Sequence, residues 1–140
     1  MINDDLILTG KLAIAINGEV VQEVDNLVVT TGKGYVADRM KNNSTIMSHM
    51  AVGTSTSSAA ANNTTLGTEI ARVGLTSTSV SGAVVTYVAS FGAGTGTGAI
   101  TEAGILNASS SGTLLCRTVF SVVNKGASDA MTITWTVTVS

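Results

Sequence analysis

The final ten residues alternate apolar and small polar side chains without interruption, reading M-T-I-T-W-T-V-T-V-S over residues 131–140. Successive side chains of a β-strand point to opposite faces of its sheet, so this pattern predicts a strand with one apolar face. Trp135 lies at the middle of that face, which is expected to build a core. The other face carries Thr and Ser, residues that suit a pleated surface and close contact with another protein.

The same two-residue period recurs along most of the chain. Asn17-Gly18 ends one alternating segment and predicts a tight hairpin, because both residues tolerate positive φ. Residues 33–41 have helical character instead, since Val36 and Met40 are four apart. Eight or nine short strands at this spacing are typical of a sandwich or barrel. The predicted strands are residues 6–16, 19–24, 27–31, 46–53, 70–80, 83–91, 100–106, 113–123 and 131–140.

The sequence therefore predicts an all-β fold: an antiparallel two-sheet β-sandwich, jelly-roll-like, with at most one short helix near residues 33–41. A chain of 140 residues can bury one core, so residues 1–140 are expected to form a single β-sandwich domain. Within it, residues 1–25 are expected to be an N-terminal arm or an added hairpin. The expected core includes Trp135, Ile133, Val137, Phe120, Leu114 and Val52.

Charged residues are scarce, at 11% of the chain against about 25% in ordinary globular domains. Their place on the surface is taken by Ser, Thr, Ala, Asn and Gly. Such a surface fits either a Thr-rich sandwich covered by water or a subunit whose outer faces are covered in an assembly. The net charge of −2 provides no basic field, so nucleic acid is not an expected partner.

Neither a membrane partner nor a targeting segment is expected. Asp4 and Asp5 stand where a signal peptide carries basic residues, and no apolar run approaches the roughly 18 residues that span a bilayer. The single Cys116 has no partner for an internal disulfide. Its position in an alternating segment predicts a buried thiol rather than a nucleophile.

Two features could be mistaken for catalytic or binding sites. Residues 92–98 alternate Gly with Ala or Thr, but no helix pattern and no suitably spaced acid follow, as a dinucleotide site requires. His49 is the only histidine and is expected to face solvent or an interface. Glu69 and Glu102 are isolated acids, which are expected to pair with Arg72 or Arg117 or to cap a turn. No catalytic residue, cofactor, metal ion or small-molecule substrate is therefore expected.

Short motifs occur in one order from residue 26 to residue 140, and together they resemble a family of small structural proteins from tailed bacteriophages. The first half contains Asn26-Leu27-Val28, Gly32, Met50-Ala51-Val52-Gly53-Thr54, Leu66, Glu69 and Arg72. The second half contains Glu102-Ala103-Gly104-Ile105-Leu106-Asn107, Leu115, Arg117, Phe120, Lys125 and Ile133-Thr134-Trp135-Thr136-Val137. The resemblance implies a β-sandwich protein of the virion.

The resemblance further implies a non-enzymatic capsid cement, or decoration, protein. Such a protein is made in the bacterial host cytoplasm, binds the outer surface of the head and stabilises contacts between major capsid protein subunits. A homotrimer is expected, because trimers match the local three-fold junctions of an icosahedral shell. The alternative is a tail-fibre or tail-tip module that recognises the host cell surface. An enzyme is the least favoured class.

The first residues are the candidate contact with the capsid or with another protomer. They combine apolar side chains with a pair of acids and precede the region of resemblance. The alternative is that this segment forms an ordinary edge strand. The candidate contact residues are Met1, Ile2, Asn3, Asp4, Asp5 and Leu6.

Overall fold

The computed structural model describes residues 6–140, which form nine antiparallel strands and one helix. The predicted all-β antiparallel fold with one short helix is confirmed. In chain order the elements are β1 (Leu8–Ile16), β2 (Glu19–Val28), α1 (Thr30–Arg39), β3 (His49–Gly53), β4 (Glu69–Gly74), β5 (Ser77–Ser81), β6 (Val84–Phe91), β7 (Gly98–Leu106), β8 (Leu114–Lys125) and β9 (Met131–Val139).

The strands lie in the order β4-β3-β7-β8-β2-β1-β9-β6-β5 and form one sheet that curls into a half-barrel. We call β5, β6, β9, β1 and the N-terminal part of β2 the first arm, and β8, β7, β3 and β4 the second arm. The arms are continuous because β2 pairs with β1 along most of its length and with β8 at Leu27 and Val28. The predicted division into two jelly-roll-like sheets stays a prediction.

The main core lies between the two arms. Trp135 and Ile133 enter it from β9, and Val52 and Phe120 enter it from the second arm. All six residues predicted to build the core are buried. Leu114, however, belongs to a second cluster with Ala51, which alternates with Met50 and Val52 and therefore lies on the opposite face of β3.

The hairpin at Asn17-Gly18 is confirmed, with φ values of 49° and 85° and direct pairing of Ile16 with Glu19. Residues 8–25, assigned above to an arm or an added hairpin, form most of β1 and β2 in the middle of the sheet, between β9 and β8. Leu12 and Ile14 of this hairpin are fully buried in the main core.

Several predicted strands differ from the structure. The strands predicted at residues 19–24 and 27–31 are one strand, β2, which ends at Val28, and α1 begins at Thr30 rather than near residue 33. Helix α1 packs closely on β8: a Cβ on Gly32 would overlap the carbonyl of Leu115, and Thr31 Oγ1 donates to the Leu114 carbonyl at 2.9 Å. This tertiary contact, which no local pattern reveals, holds the first turn of the helix.

The strand predicted at residues 70–80 is two strands, β4 and β5, which lie at opposite ends of the sheet order. The chain switches arms between them: Leu75 N–H donates to the Ser48 carbonyl at 2.9 Å and Thr76 N–H to the Val88 carbonyl at 2.7 Å. The prediction of extended backbone is correct, but the segment is divided at Leu75 and Thr76, where the chain passes from the second arm to the first.

Candidate functional site

A buried ion pair joins β7 to β8. Glu102 and Arg117 are 0% and 2% exposed, and the Glu102 Oε1 atom lies 3.1 Å from Arg117 Nε and 3.0 Å from Nη2. In the strand register Glu102 opposes Val119 and Gly104 opposes Arg117, so the two charged residues are diagonal neighbours. The predicted pairing of Glu102 with an arginine is confirmed, and the partner is Arg117.

The Glu102 carboxylate also binds the loop between β3 and β4. It accepts backbone hydrogen bonds from Ser55 at 3.0 Å and from Gly67 and Thr68 at 2.7 Å each. Burial alone would raise the pKa of Glu102, but these backbone donors and the Arg117 guanidinium together hold it below its ordinary value. The carboxylate is therefore ionised at neutral pH and fixes both ends of the loop.

Arg117 binds the same loop with the rest of its guanidinium. Nη2 donates to the Ser57 carbonyl at 3.0 Å, and Nη1 donates to the Ser58 carbonyl at 3.3 Å and to Asn63 Oδ1 at 2.9 Å. A guanidinium has five N–H donors, and these bonds together with the two to Glu102 use all five. Arg117 therefore stabilises the loop and has no donor left for an external anion.

Close contacts at the loop leave no room for a side chain at two positions, one on β3 and one within the loop itself. A Cβ on Gly53 would overlap the Thr68 carbonyl, and one on Gly67 would overlap the Ser55 side chain. Leu66 anchors the loop from the other side, in the cluster that contains Ala51 and Leu114. We call residues 54–68 the pinned loop, because its fixed points are the ion pair, these close contacts and Leu66.

A second predicted pair, Glu69 with Arg72, is also confirmed. Arg72 Nε and Nη2 contact the Glu69 carboxylate at 2.9 and 2.7 Å, and Nη1 donates to the carbonyls of Ala108 and Ser111. This pair places two charges on the edge strand β4 and ties that strand to the connection between β7 and β8.

A third buried charge has a similar structural role. Lys125 is 2% exposed, and its Nζ atom donates to the Gly92 carbonyl at 2.9 Å. That bond fixes the glycine-rich loop of residues 92–98, which connects β6 directly to β7. Three of its glycines have positive φ, including Gly94 at 81°, so the glycines are required by the turn geometry. The expectation that no helix follows this loop is confirmed.

The remaining residues singled out in the sequence lie apart from one another. His49 is half-buried on β3, with Nδ1 2.7 Å from Ser48 Oγ. Cys116 is fully buried on β8, as predicted, and burial raises the pKa of its thiol. Of the candidate contact residues, Met1 to Asp5 lie outside the described residues. Leu6 is 71% exposed, and the next residue, Ile7, exchanges backbone hydrogen bonds with Ser140.

One surface feature was not predicted from the sequence. An apolar groove of about 360 Å³, which we call the mouth groove, opens between α1 and the first arm. Arg39 is the one charged residue among the described residues that line it. Burial beside the groove raises the pKa of Tyr87 to about 12. The lining is Leu8, Tyr35, Val36, Arg39, Ile46, Met47, Thr78, Val80, Val85, Tyr87, Leu115, Val137 and Val139.

Sequence periodicity could not reveal this groove because its walls come from separate segments. Ile46 and Val80 are 61% and 70% exposed, yet they stand 34 positions apart in the chain. Only the curl of the sheet brings β5 opposite α1 and residues 46–47. The one available signal was an apolar Val80 in the otherwise polar segment S-T-S-V-S.

Comparisons with protein-family models, with curated proteins and with solved structures find no match to this chain. The resemblance to phage structural proteins therefore stays a prediction from the motifs quoted above. In the part of the chain that the structure describes, no helix is long and apolar enough to cross a membrane. Among those same residues, no group of three His, Cys, Asp or Glu side chains is placed to hold a metal ion.

Proposed function

We propose that this chain is a non-enzymatic capsid cement protein of a tailed bacteriophage. It binds the outer surface of the head as a homotrimer and holds neighbouring copies of the major capsid protein together. The two-sheet sandwich belongs to the same proposal, with the first and second arms as its two sheets around the main core. The resemblance in residues 26–140 is the starting point, and features of the described structure add support.

The main structural support for the proposal is that the buried charged side chains anchor connecting loops. Among the described residues, Glu102, Arg117 and Lys125 are the charged side chains that are buried, and each one anchors a connecting loop. Burying an ion is costly unless its hydrogen bonds are satisfied. This protein therefore uses its buried ions to make loops rigid, which suits a part whose task is mechanical.

Rigid loops favour binding because less conformational entropy is lost when they contact a partner. The pinned loop presents Ser, Thr, Asn and Ala side chains and carries no charge between residues 54 and 68. Each such contact is weak. A trimer that repeats the contact three times gains stability from avidity, which a cement protein needs against the internal pressure of packaged DNA.

The experiment that tests the proposal counts the protein in purified virions and heats heads that lack it. A cement protein is expected in a large number of copies per virion, and heads without it are expected to lose DNA at a lower temperature. Adding the purified protein back should restore the stability. A few copies at the tail tip, with no change in head stability, would contradict the proposal and favour host recognition.

The non-enzymatic part of the proposal has its own test. His49→Ala removes the only imidazole, and this variant is expected to bind heads and restore their stability as the unmodified protein does. Loss of a defined turnover in the variant, while binding to heads persists, would contradict this part.

A further inference from the structure

We propose that residues 1–6 of a second copy of this chain add as an extended strand to the free edge of β5. In that position alternate side chains enter the mouth groove. This inference takes the number of copies, three, from the proposed function. It adds which surfaces of the protomer contact one another.

The acceptor is an edge strand without the usual protection. All five residues of β5 are exposed, and the sequence S-T-S-V-S contains neither charge nor proline. Proteins normally protect a free edge with charged side chains or proline, because its unpaired N–H and C=O groups bind other strands. The opposite edge strand, β4, carries two charged side chains, Glu69 and Arg72. The described sheet therefore has one edge suited to receive a strand.

The mouth groove lies beside this edge. Thr78 and Val80 of β5 line it together with Tyr35, Val36 and Ile46. An exposed strand edge next to an apolar groove is the arrangement by which proteins bind extended segments. The main chain pairs with the edge, and alternate side chains occupy the groove. An occupant should therefore have apolar residues two or four positions apart.

Residues 1–6 have this pattern, reading M-I-N-D-D-L. In an extended segment Ile2, Asp4 and Leu6 share one face, so two apolar side chains flank an acid. The groove offers the complementary arrangement, since its lining is apolar with Arg39 as its charged residue. Asp4 is therefore the residue that pairs with Arg39, while Asp5 faces away.

Strand spacing indicates that the donor is another copy of the chain. In the sheet β9, β6 and β5 separate β1 from a strand added at the free edge of β5, so that strand lies four strand spacings, about 19 Å, from β1. Pairing along the five residues of β5 requires about 17 Å more, whereas six extended residues reach at most about 21 Å. A chain cannot cross its own sheet and also pair along β5, but a neighbour can supply the segment.

Donor and acceptor are different surfaces, so the contact is head-to-tail, and in the proposed trimer three such contacts close a ring. The test uses Ile2→Cys in one chain and Val80→Cys in another, mixed and treated with a bis-maleimide; Cys116 is fully buried and does not compete. We expect a product of twice the chain mass from the mixture and larger products from a chain that carries both cysteines. A double-cysteine chain that cross-links only within itself, or no cross-link at all, would overturn the inference.

A charge exchange tests the pairing of Asp4 with Arg39. Asp4→Arg is expected to weaken self-association by about tenfold, and adding Arg39→Glu should restore it. Asp5→Arg is the matched control and should have little effect. Equal weakening by both arginine variants, or no rescue, would overturn the assigned register. A cross-linked protein that is a dimer in solution would support the contact between residues 1–6 and β5 but contradict the proposed trimer. Binding to heads without any cross-link would contradict this contact and leave the proposed function standing.

Discussion

At the scale of single residues, the interior combines an apolar core with a few charges whose hydrogen bonds are satisfied. Trp135 is fully buried in the main core, and its neighbours in β9 alternate between core and outer face. Glu102 and Arg117 are buried for a different reason, because they fix a loop rather than fill space. Substitutions at these two kinds of position should therefore have different consequences.

Trp135→Ala should lower the free energy of unfolding by about 3–5 kcal/mol, since a large side chain leaves a cavity that the core cannot fill. Thr134→Ala is the matched control, because Thr134 is exposed on the same strand, and it should change stability by less than about 0.5 kcal/mol. Urea denaturation of both variants provides the measurement. Similar losses for the two variants would mean that the faces of β9 are assigned wrongly.

Glu102→Gln should lower the free energy of unfolding by about 3–5 kcal/mol, because it leaves the Arg117 charge buried without a counter-ion. Glu69→Gln provides the comparison, since the Glu69 side chain is 31% exposed and such pairs contribute about 0–1 kcal/mol. Denaturant melts measure both effects. If Glu69→Gln proved the more damaging, the structural role assigned to the buried pair would be wrong.

At the scale of elements, close backbone approach determines how α1 and the pinned loop attach to the sheet. Gly32 of α1 faces the Leu115 carbonyl, whereas Gly34 in the same helix has no atom near its Cβ position. One carboxylate, that of Glu102, binds both ends of the pinned loop. Helix and loop can therefore each be tested with a change that leaves the rest of the sheet intact.

Gly34→Ala should stabilise the protein by about 0.5–1 kcal/mol, because alanine favours helical backbone and nothing obstructs its Cβ. Gly32→Ala should destabilise it, since the added methyl would push α1 away from β8. Thermal melts of the two variants provide the measurement. Stabilisation by both changes would show that α1 does not pack on β8 as described.

The two ends of the pinned loop should lose their bonds to Glu102 in acid. The folded pKa of Glu102 lies below its unfolded value of 4.5, so its contribution to stability is present above pH 4.5 and is lost as the pH falls through the folded pKa. Amide hydrogen exchange at Ser55, Gly67 and Thr68 measures this directly, and protection should fall with the pH in that range. Protection that persists after the carboxylate is protonated would show that other contacts hold the loop.

At the scale of the whole molecule, both arms enclose the main core. Residues of β1, β6 and β9 contact residues of β3, β7 and β8 within one cluster. Neither arm can separate without exposing the apolar face of the other. The arms are therefore expected to unfold together.

The chain has a natural probe in each arm for this prediction: its only tryptophan, Trp135, on β9 and its only cysteine, Cys116, on β8. In increasing denaturant, Trp135 fluorescence and the reactivity of the Cys116 thiol should change with the same midpoint. If the thiol reacted at a lower denaturant concentration, the second arm would unfold independently.

Local sequence patterns predicted strand faces, a hairpin and ion pairs of this protein. Alternation of side chains identified β9 and its buried Trp135 face, and the φ preferences of Asn17-Gly18 placed the first hairpin. The opposite charges of the isolated acids and the arginines suggested that Glu69 and Glu102 pair with arginines. These features depend on neighbours along the chain or on simple complementarity, which the sequence displays directly.

Only the tertiary structure decided how these elements meet. The extended segment of residues 70–80 becomes two strands because the sheet curls and the chain changes arms at Leu75 and Thr76. Curling also sets β5 opposite α1, which creates the mouth groove. The hydrogen bonds that join Glu102 and Arg117 to the pinned loop connect residues far apart in sequence. Such contacts depend on the path of the whole chain, so no periodicity or local propensity can specify them.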